Sequence, residues 1–541
     1  MPKPNNPPSV ESLTLEEKVG QILCFGWQGA DDDESRTVND HARTLIEDLR
    51  VGSIILLGRN IGTRERAREL IDELQSLSRL PLMIAVDQEG GMVNRFAEPF
   101  HQFPGNMALG AVAAGEGIGI GEQMAERQAN VQARELRSVG VNWSFAPVVD
   151  VNNNPDNPII GVRSYGEDPD LVGRLGAAAI SGLQNEGVLA CAKHFPGHGD
   201  TSVDSHLALP TVAGDLERLF SVELAPFRRA IAAGVGSIMT AHILFPGVDA
   251  ALPATMSQAV LTGLLRQQMG YDGVVITDCL EMSAISDGIG TAQGAVEALK
   301  AGADVVLVCH TLEKQRETRN AVIDAVKSGE LPEVRLAEAV GRVLSAKRKV
   351  TSHEGTGEDG EWDEQAVDDF EAEVASRSIT VVRTTAAIPL QLRPGGTITV
   401  MSAHPVLHEV CGEFVQRGLN ARGYPLSVEI SDDDLQVAEE IALQSRSQKQ
   451  PMVLLTTPRE PWSEDPIDQD RQALLVRRML KVYGPALIVV ALRDPYDLRR
   501  FPEVANYVCT YGYRKCSLKA VVEVLLGEFT SVGRLPVAIP R

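Results

Sequence analysis

Eight short apolar runs dominate the first 350 residues, at 20–25, 52–57, 82–86, 141–146, 188–192, 237–241, 273–277 and 304–308. Each is followed by a polar loop, and helical patterns fill most of the gaps, at 64–77, 119–138, 172–185 and 216–233. Runs this short and this uniformly apolar read as strands buried on both faces. Strands alternating with helices imply a parallel sheet joined by right-handed crossovers. Eight such units are the number that closes a (β/α)8 barrel. An open doubly wound sheet satisfies the same alternation, so the count rather than the pattern favours closure.

At residue 351 the composition changes abruptly. Residues 351–375 contain ten acidic side chains and no Lys or Arg, with glycines at 355, 357 and 360. This segment reads as a solvated acidic linker entering a helix. Alternation then resumes, with strand patterns at 397–401, 427–430, 452–456, 486–491 and 507–509 and helical patterns at 437–445, 468–482 and 518–526. The expected organisation is an α/β chain: a TIM-like barrel over 1–350, a linker and helix entry over 351–375, and an α/β sandwich over 376–541.

Composition narrows the function classes. The 541-residue chain carries a net charge of −22, which disfavours nucleic acid as a partner, because polyanions are bound by basic faces. No run approaches the ~18 uninterrupted apolar residues of a membrane span, and the first nine residues lack the apolar core of a secretory signal. Seven scattered cysteines, an odd number, fit reduced thiols better than a disulfide framework. A cytoplasmic location is the simplest expectation.

In parallel α/β folds the chemistry collects at the carboxyl ends of strands. There the third run leads into Asp87-Gln88-Glu89-Gly90-Gly91, the fourth into Asp150, the sixth into His242, the seventh into Asp278 and the eighth into Cys309-His310. The fifth leads into Lys193-His194-Phe195-Pro196-Gly197-His198-Gly199-Asp200-Thr201-Ser202-Val203-Asp204-Ser205-His206. Asp278 at a barrel mouth can serve as nucleophile, metal ligand or base, and its bland alternative is a helix cap. The 193–206 segment, with three His, two Asp and one Lys, is too polar and glycine-rich for core.

Two readings of that segment stay open. His194 and His198, with Asp204 or His206, can surround a metal ion. Against this, Pro196 and Gly197 keep the two histidines off a common helix face. Alternatively Asp204 orients and charges His206, making a proton-transfer dyad near neutrality. No phosphate loop or nucleophile elbow is present, and the glycines of 115–121 lack dinucleotide-site spacing. Cys279 and Cys309 fall near the mouth, where cysteine is usually a small buried residue. Trp27 and Trp143 qualify as either sugar platforms or core, and with Trp362 and Trp462 they form no sequence-local cluster.

Residues 193–206 resemble the Lys-His-Phe-Pro-Gly-His-Gly-Asp-Thr-x-x-Asp-Ser-His signature of glycoside hydrolase family 3 β-N-acetylhexosaminidases. Ile276-Thr277-Asp278-Cys279-Leu280-Glu281-Met282 resembles the family's nucleophile segment. The blocks 87–91, 145–150 and 163–169 follow in family order, and the carboxyl end is similar to that of two-domain members. The resemblance implies Asp278 as nucleophile, His206 as general acid/base held by Asp204, and Asp87, Arg95, Arg163, Lys193 and His194 as contacts to a terminal sugar. It implies no cofactor and no metal. It also implies β-linked N-acetylglucosamine glycans, either chito-oligosaccharides or peptidoglycan fragments, as partners. A neutral imidazole in the acid/base role repels an incoming anion less than a carboxylate does, which keeps phosphate open as an alternative acceptor to water. Met92 stands where members commonly have Arg, and Cys279 where many have Asp or Ala.

Overall fold

The computed structural model describes residues 8–96, 99–202, 204, 208–352, 363–457 and 468–540. Eight parallel strands close a barrel: β1 (Leu23–Phe25), β2 (Ser53–Leu56), β3 (Met83–Val86), β6 (Trp143–Ser144), β7 (Leu189–Phe195), β8 (Ser237–Thr240), β9 (Val274–Cys279) and β10 (Val305–Val308). Their order around the barrel is β1-β10-β9-β8-β7-β6-β3-β2, so the strands follow chain order and the first, β1, closes on the last, β10. Between β3 and β6 the chain inserts a small antiparallel hairpin, β4 (Gln88–Gly90) and β5 (Val93–Asn94).

The eight-run pattern therefore closes as expected. Local chemistry sets the helix boundaries. Asp168 accepts from Asp170 N ahead of Pro169–Asn185, whose first residue is a proline that needs no amide partner there. The stretch expected as one helix over 216–233 is two, Leu216–Ser221 and Leu224–Ala232. Pro226 lies in the first turn of the second, where its missing N–H costs nothing, and could not have sat inside a continuous helix.

The second sheet has the order β11-β16-β15-β14-β12-β13, comprising β11 (Thr380–Arg383), β12 (Thr397–Ser402), β13 (Asn420–Pro425), β14 (Met452–Thr456), β15 (Ile488–Ala491) and β16 (Asn506–Cys509). All pairs are parallel except β11 with β16. The sequence pattern misplaced one strand: residues 427–430 are not extended in the sheet, and β13 lies before them. Leu426 and Ile430 are buried as part of a loop that Ser431 and Asp434 close with a reciprocal cap on the helix Asp432–Ser447. The true strand reads polar because it is an edge, with four of its six residues exposed.

One face of this sheet packs Ile398, Val400, Val453 and Val490 against the helices Leu407–Gln416 and Lys515–Leu526. The other packs Met401, Leu454 and Val489 into a core that also holds Met107, Ala108 and Ala111 of the barrel helix Asn106–Glu116. The two α/β units thus share a continuous apolar seam. Gly110 sits at it, where a β-carbon would fall 1.8 Å from the Tyr165 carbonyl oxygen. Among the described residues no helix is long and apolar enough to cross a membrane.

Candidate active site

A cavity of about 410 Å³ opens at the carboxyl ends of the barrel strands. It is lined by Asp87 after β3, Glu89 on β4, Arg95 after β5, Lys193 and His194 on β7, and Asp278 on β9. Arg163 reaches it from the loop carrying Ile159. Six sequence candidates, Asp87, Arg95, Arg163, Lys193, His194 and Asp278, therefore meet in one place. Asp204 is described and half-buried. His206 lies outside the described residues.

Charge pairing organises one wall. Lys193 Nζ lies 2.7 Å from Asp87 Oδ1 and 2.7 Å from Glu89 Oε1. Arg163 donates through Nε to Glu89 Oε2 at 2.9 Å and through Nη2 to Oε1 at 2.8 Å, a bidentate fork. Burial opposes the charge on Glu89, but the Arg163 guanidinium and the Lys193 ammonium outweigh it and hold the carboxyl well below the usual range. Burial likewise works against the cationic forms of Lys193 and Arg163, and the facing carboxylates raise both above their ordinary values. The sequence offered Glu89 inside a motif without a role. The structure makes it the common anchor of two sugar-contact candidates.

A second buried carboxylate anchors the histidines. Asp150 Oδ2 accepts from His194 Nδ1 at 2.7 Å, and Oδ1 accepts from the backbone N–H of His194 at 3.1 Å and of His198 at 2.7 Å. Burial opposes its charge, yet His194 and His198 keep its pKa below normal. With Nδ1–H committed to Asp150, Nε2 is the ring nitrogen of His194 left for a ligand in the cavity that the residue lines. His198 is pushed down to about 4 by burial and by His194, so it is neutral, with Nδ1 2.9 Å from Thr201 Oγ1. The loop is tightly backed: a β-carbon on Gly199 would fall 1.7 Å from the Val151 carbonyl oxygen. Asp150 ends the 145–150 block, and its place beside the strand bearing His194 was the available signal.

Other candidates are accounted for structurally. His242 lies 2.8 Å from Thr255 Oγ1 through Nδ1 and 3.0 Å from the Cys279 carbonyl through Nε2, bracing the end of β9. Trp143 donates to Ser237 Oγ at 2.8 Å inside the barrel, and Trp27 is fully buried, so both are core residues. Of the metal set read from His194 and His198 with Asp204 or His206, His206 lies outside the described residues, and among the described residues the two histidines are not brought together with Asp204 or Asp278 as a cluster of donors. Met92 packs against the apolar seam of the second sheet, and Arg514 of that unit donates to the Gly91 carbonyl at 2.8 Å. The second unit thereby clasps the hairpin that carries Glu89.

Residues 14–346 match the model of the glycosyl hydrolase family 3 N-terminal domain. Beta-hexosaminidase A of Pseudoalteromonas piscicida is 31% identical over 92% of this chain and 90% of its own length. A beta-hexosaminidase of Hydrogenovibrio crunogenus is 37% identical over 55% of this chain and 82% of its own. Among solved structures, a glycoside hydrolase family 3 beta-N-acetylglucosaminidase from Paenibacillus sp. str. FPU-7 superposes with a TM-score of 0.86 at 37% identity, covering 98% of this chain and 99% of that one. The beta-glucoside phosphorylase BglX, at 23% identity and a TM-score of 0.79, shares the fold. With a matching barrel, a matching second unit and a polar cavity at the barrel mouth, this chain belongs to glycosyl hydrolase family 3 and is a glycoside hydrolase.

Proposed function

We propose that the protein is a retaining, exo-acting β-N-acetylglucosaminidase that removes terminal N-acetylglucosamine from chito-oligosaccharides or peptidoglycan fragments. The carrying observation is the convergence of Asp278 with Asp87, Arg163, Lys193 and His194 on one cavity large enough for a single sugar. The catalytic unit is drawn at 1–350, with 351–375 joining it to a supporting unit at 376–541.

In this reading the pocket wall binds first. Lys193 and Asp87 present a donor and an acceptor to sugar hydroxyls, Arg163 and Arg95 add donors, and His194 offers Nε2. Asp278 then attacks the anomeric carbon through an oxocarbenium-like transition state while His206, charged by Asp204, protonates the departing oxygen. Water, deprotonated by the now neutral His206, releases the sugar with retained configuration. Most retaining enzymes use two carboxyl groups about 5–5.5 Å apart; here an imidazole replaces one. The roles of His206 and Asp204 rest on the resemblance of the 193–206 segment, and the acetamido preference rests on that segment and on the relatives' names.

The test is release of p-nitrophenol from its β-N-acetylglucosaminide and its β-glucoside, with and without phosphate. A strong preference for the acetamido sugar, unchanged by phosphate, is expected. Phosphate-dependent turnover that yields a sugar 1-phosphate would instead make the protein a phosphorylase, and preference for the glucoside would remove the N-acetylglucosamine assignment.

A further inference from the structure

Two thiols and an imidazole meet at the cavity beside Asp278, and the glycosidase mechanism uses none of them. Cys279 ends β9, and Cys309 and His310 follow β10, the adjacent strand, with Leu307 in register with Cys279. One donor atom from each of Cys279, Cys309 and His310 lies within 4.8 Å of the others. All three residues line the cavity. Both cysteines are buried, and His310 is half-buried.

We propose that Cys279, Cys309 and His310 form a binding site for a borderline-soft divalent cation, Zn²⁺ by preference, with its fourth position open to the substrate cavity. Two sulfurs and one imidazole nitrogen are the donor set that selects zinc over magnesium or calcium. Tetrahedral zinc with Zn–S near 2.3 Å and Zn–N near 2.0–2.1 Å sets S···S at about 3.8 Å and S···N at about 3.5 Å. Donors already within 4.8 Å reach that geometry by closing on the order of 1 Å, within the reach of side-chain rotation.

The frame around the site is already fixed. Glu281 accepts from the backbone N–H of His310 at 2.6 Å and of Thr311 at 3.1 Å, which pins the loop that carries two of the ligands. Arg59 Nη1 approaches His310 Nδ1 at 3.0 Å, and this contact opens when the metal takes the ring. Arg59 remains held by the carbonyls of Trp27 at 2.9 Å and Cys309 at 2.7 Å. Binding replaces two thiol protons, which leave to solvent, so two thiolates, a neutral imidazole and Zn²⁺ sum to no net charge.

The position gives the ion a consequence. Cys279 directly follows Asp278, and its backbone N–H donates to Asp278 Oδ1 at 2.7 Å. The ion held by the Cys279 thiolate places its own water in the sugar's space. It therefore inhibits competitively. This second part rests on the glycosidase reading; metal binding does not.

The two parts are tested separately on the full chain, kept reduced with a phosphine. Cd²⁺ titration is expected to build a thiolate charge-transfer absorption that saturates at one equivalent and is displaced by Zn²⁺. Cys309→Ser should weaken binding by more than the roughly 10–100-fold that loss of an outer-shell partner costs. Because a variant can fail to fold, alkylation of the native wild type provides the second readout. Zn²⁺ should slow labelling of Cys279 and Cys309 at least about tenfold and leave Cys411, which lies in the other unit, unchanged. Absence of the charge-transfer absorption, unprotected Cys279 and Cys309, or equal affinity in a Cys279→Ser/Cys309→Ser double variant would each overturn the site. Metal bound as expected, without competitive inhibition of hydrolysis, would retain the site and reject its effect on substrate binding.

Discussion

Glu89 grips Arg163 through both carboxylate oxygens, at 2.9 and 2.8 Å, while only 1% of its side chain reaches solvent. The same carboxylate holds Lys193. Two cations on different strands and loops are thus set in place by one anion that sits on a two-strand hairpin, and that hairpin is itself clasped by the second unit. The arrangement makes the carboxylate's charge, rather than its shape, the organising element.

Glu89→Gln keeps the shape and removes the charge. Leaving Arg163 and Lys193 buried against a neutral amide should cost about 3–5 kcal/mol of stability, the usual price of breaking a buried pair. Thermal unfolding measures this directly. Where the variant still folds, kcat/KM should fall with it, because Arg163 and Lys193, the proposed sugar contacts, lose their alignment.

Asp150→Asn tests the histidine wall. The amide puts an NH2 group where Oδ2 accepts from His194 Nδ1, so the ring loses the partner that fixes its tautomer and direction. A hydrogen bond to a charged group contributes about 1.5–3 kcal/mol, which corresponds to a loss of roughly 10–150-fold in kcat/KM. The fold should survive better than in Glu89→Gln, since the amide oxygen still accepts from the backbone N–H groups of His194 and His198.

At the opposite end of the barrel, Lys347 is 1% exposed, and its ammonium meets Gln21 Oε1 at 2.6 Å. Burial pushes its pKa down to about 7, below the ordinary value in the unfolded chain. A base with a lowered folded pKa carries its full penalty below pH 7 and sheds it as pH rises from about 7 toward 10.4. Lys347→Met, similar in length and uncharged, should therefore stabilise the protein by about 1–4 kcal/mol at pH 6. The advantage over wild type should shrink steadily toward pH 10, as followed by denaturant unfolding across that range.

Much of this site is legible in the sequence because one rule, strand carboxyl ends meeting at a barrel mouth, places Asp87, Lys193, His194 and Asp278 before any contact is known. What it does not reveal are the supports. Glu89 lies on β4, a three-residue strand in a glycine-turned hairpin with no apolar period to announce it. Asp150 is visible as a polar residue after an apolar run, but its partners come from β7 and the loop after it, 44 and 48 residues later. The second sheet shows the converse failure: β13 is an exposed edge, so apolarity points to the buried loop beyond it. Periodicity reports burial, and it reports strand identity only where the two coincide.

In the proposed mechanism the Asp278 carboxylate bonds to the sugar. Incubation with an activated 5-fluoro-N-acetylglucosaminyl substrate, followed by proteolysis and mass spectrometry, measures this most directly. The predicted result is one sugar added per chain, carried by the peptide containing Asp278 and absent in Asp278→Ala. A sugar found on another side chain, or an enzyme that turns the reagent over with inverted configuration and without a covalent adduct, would contradict it.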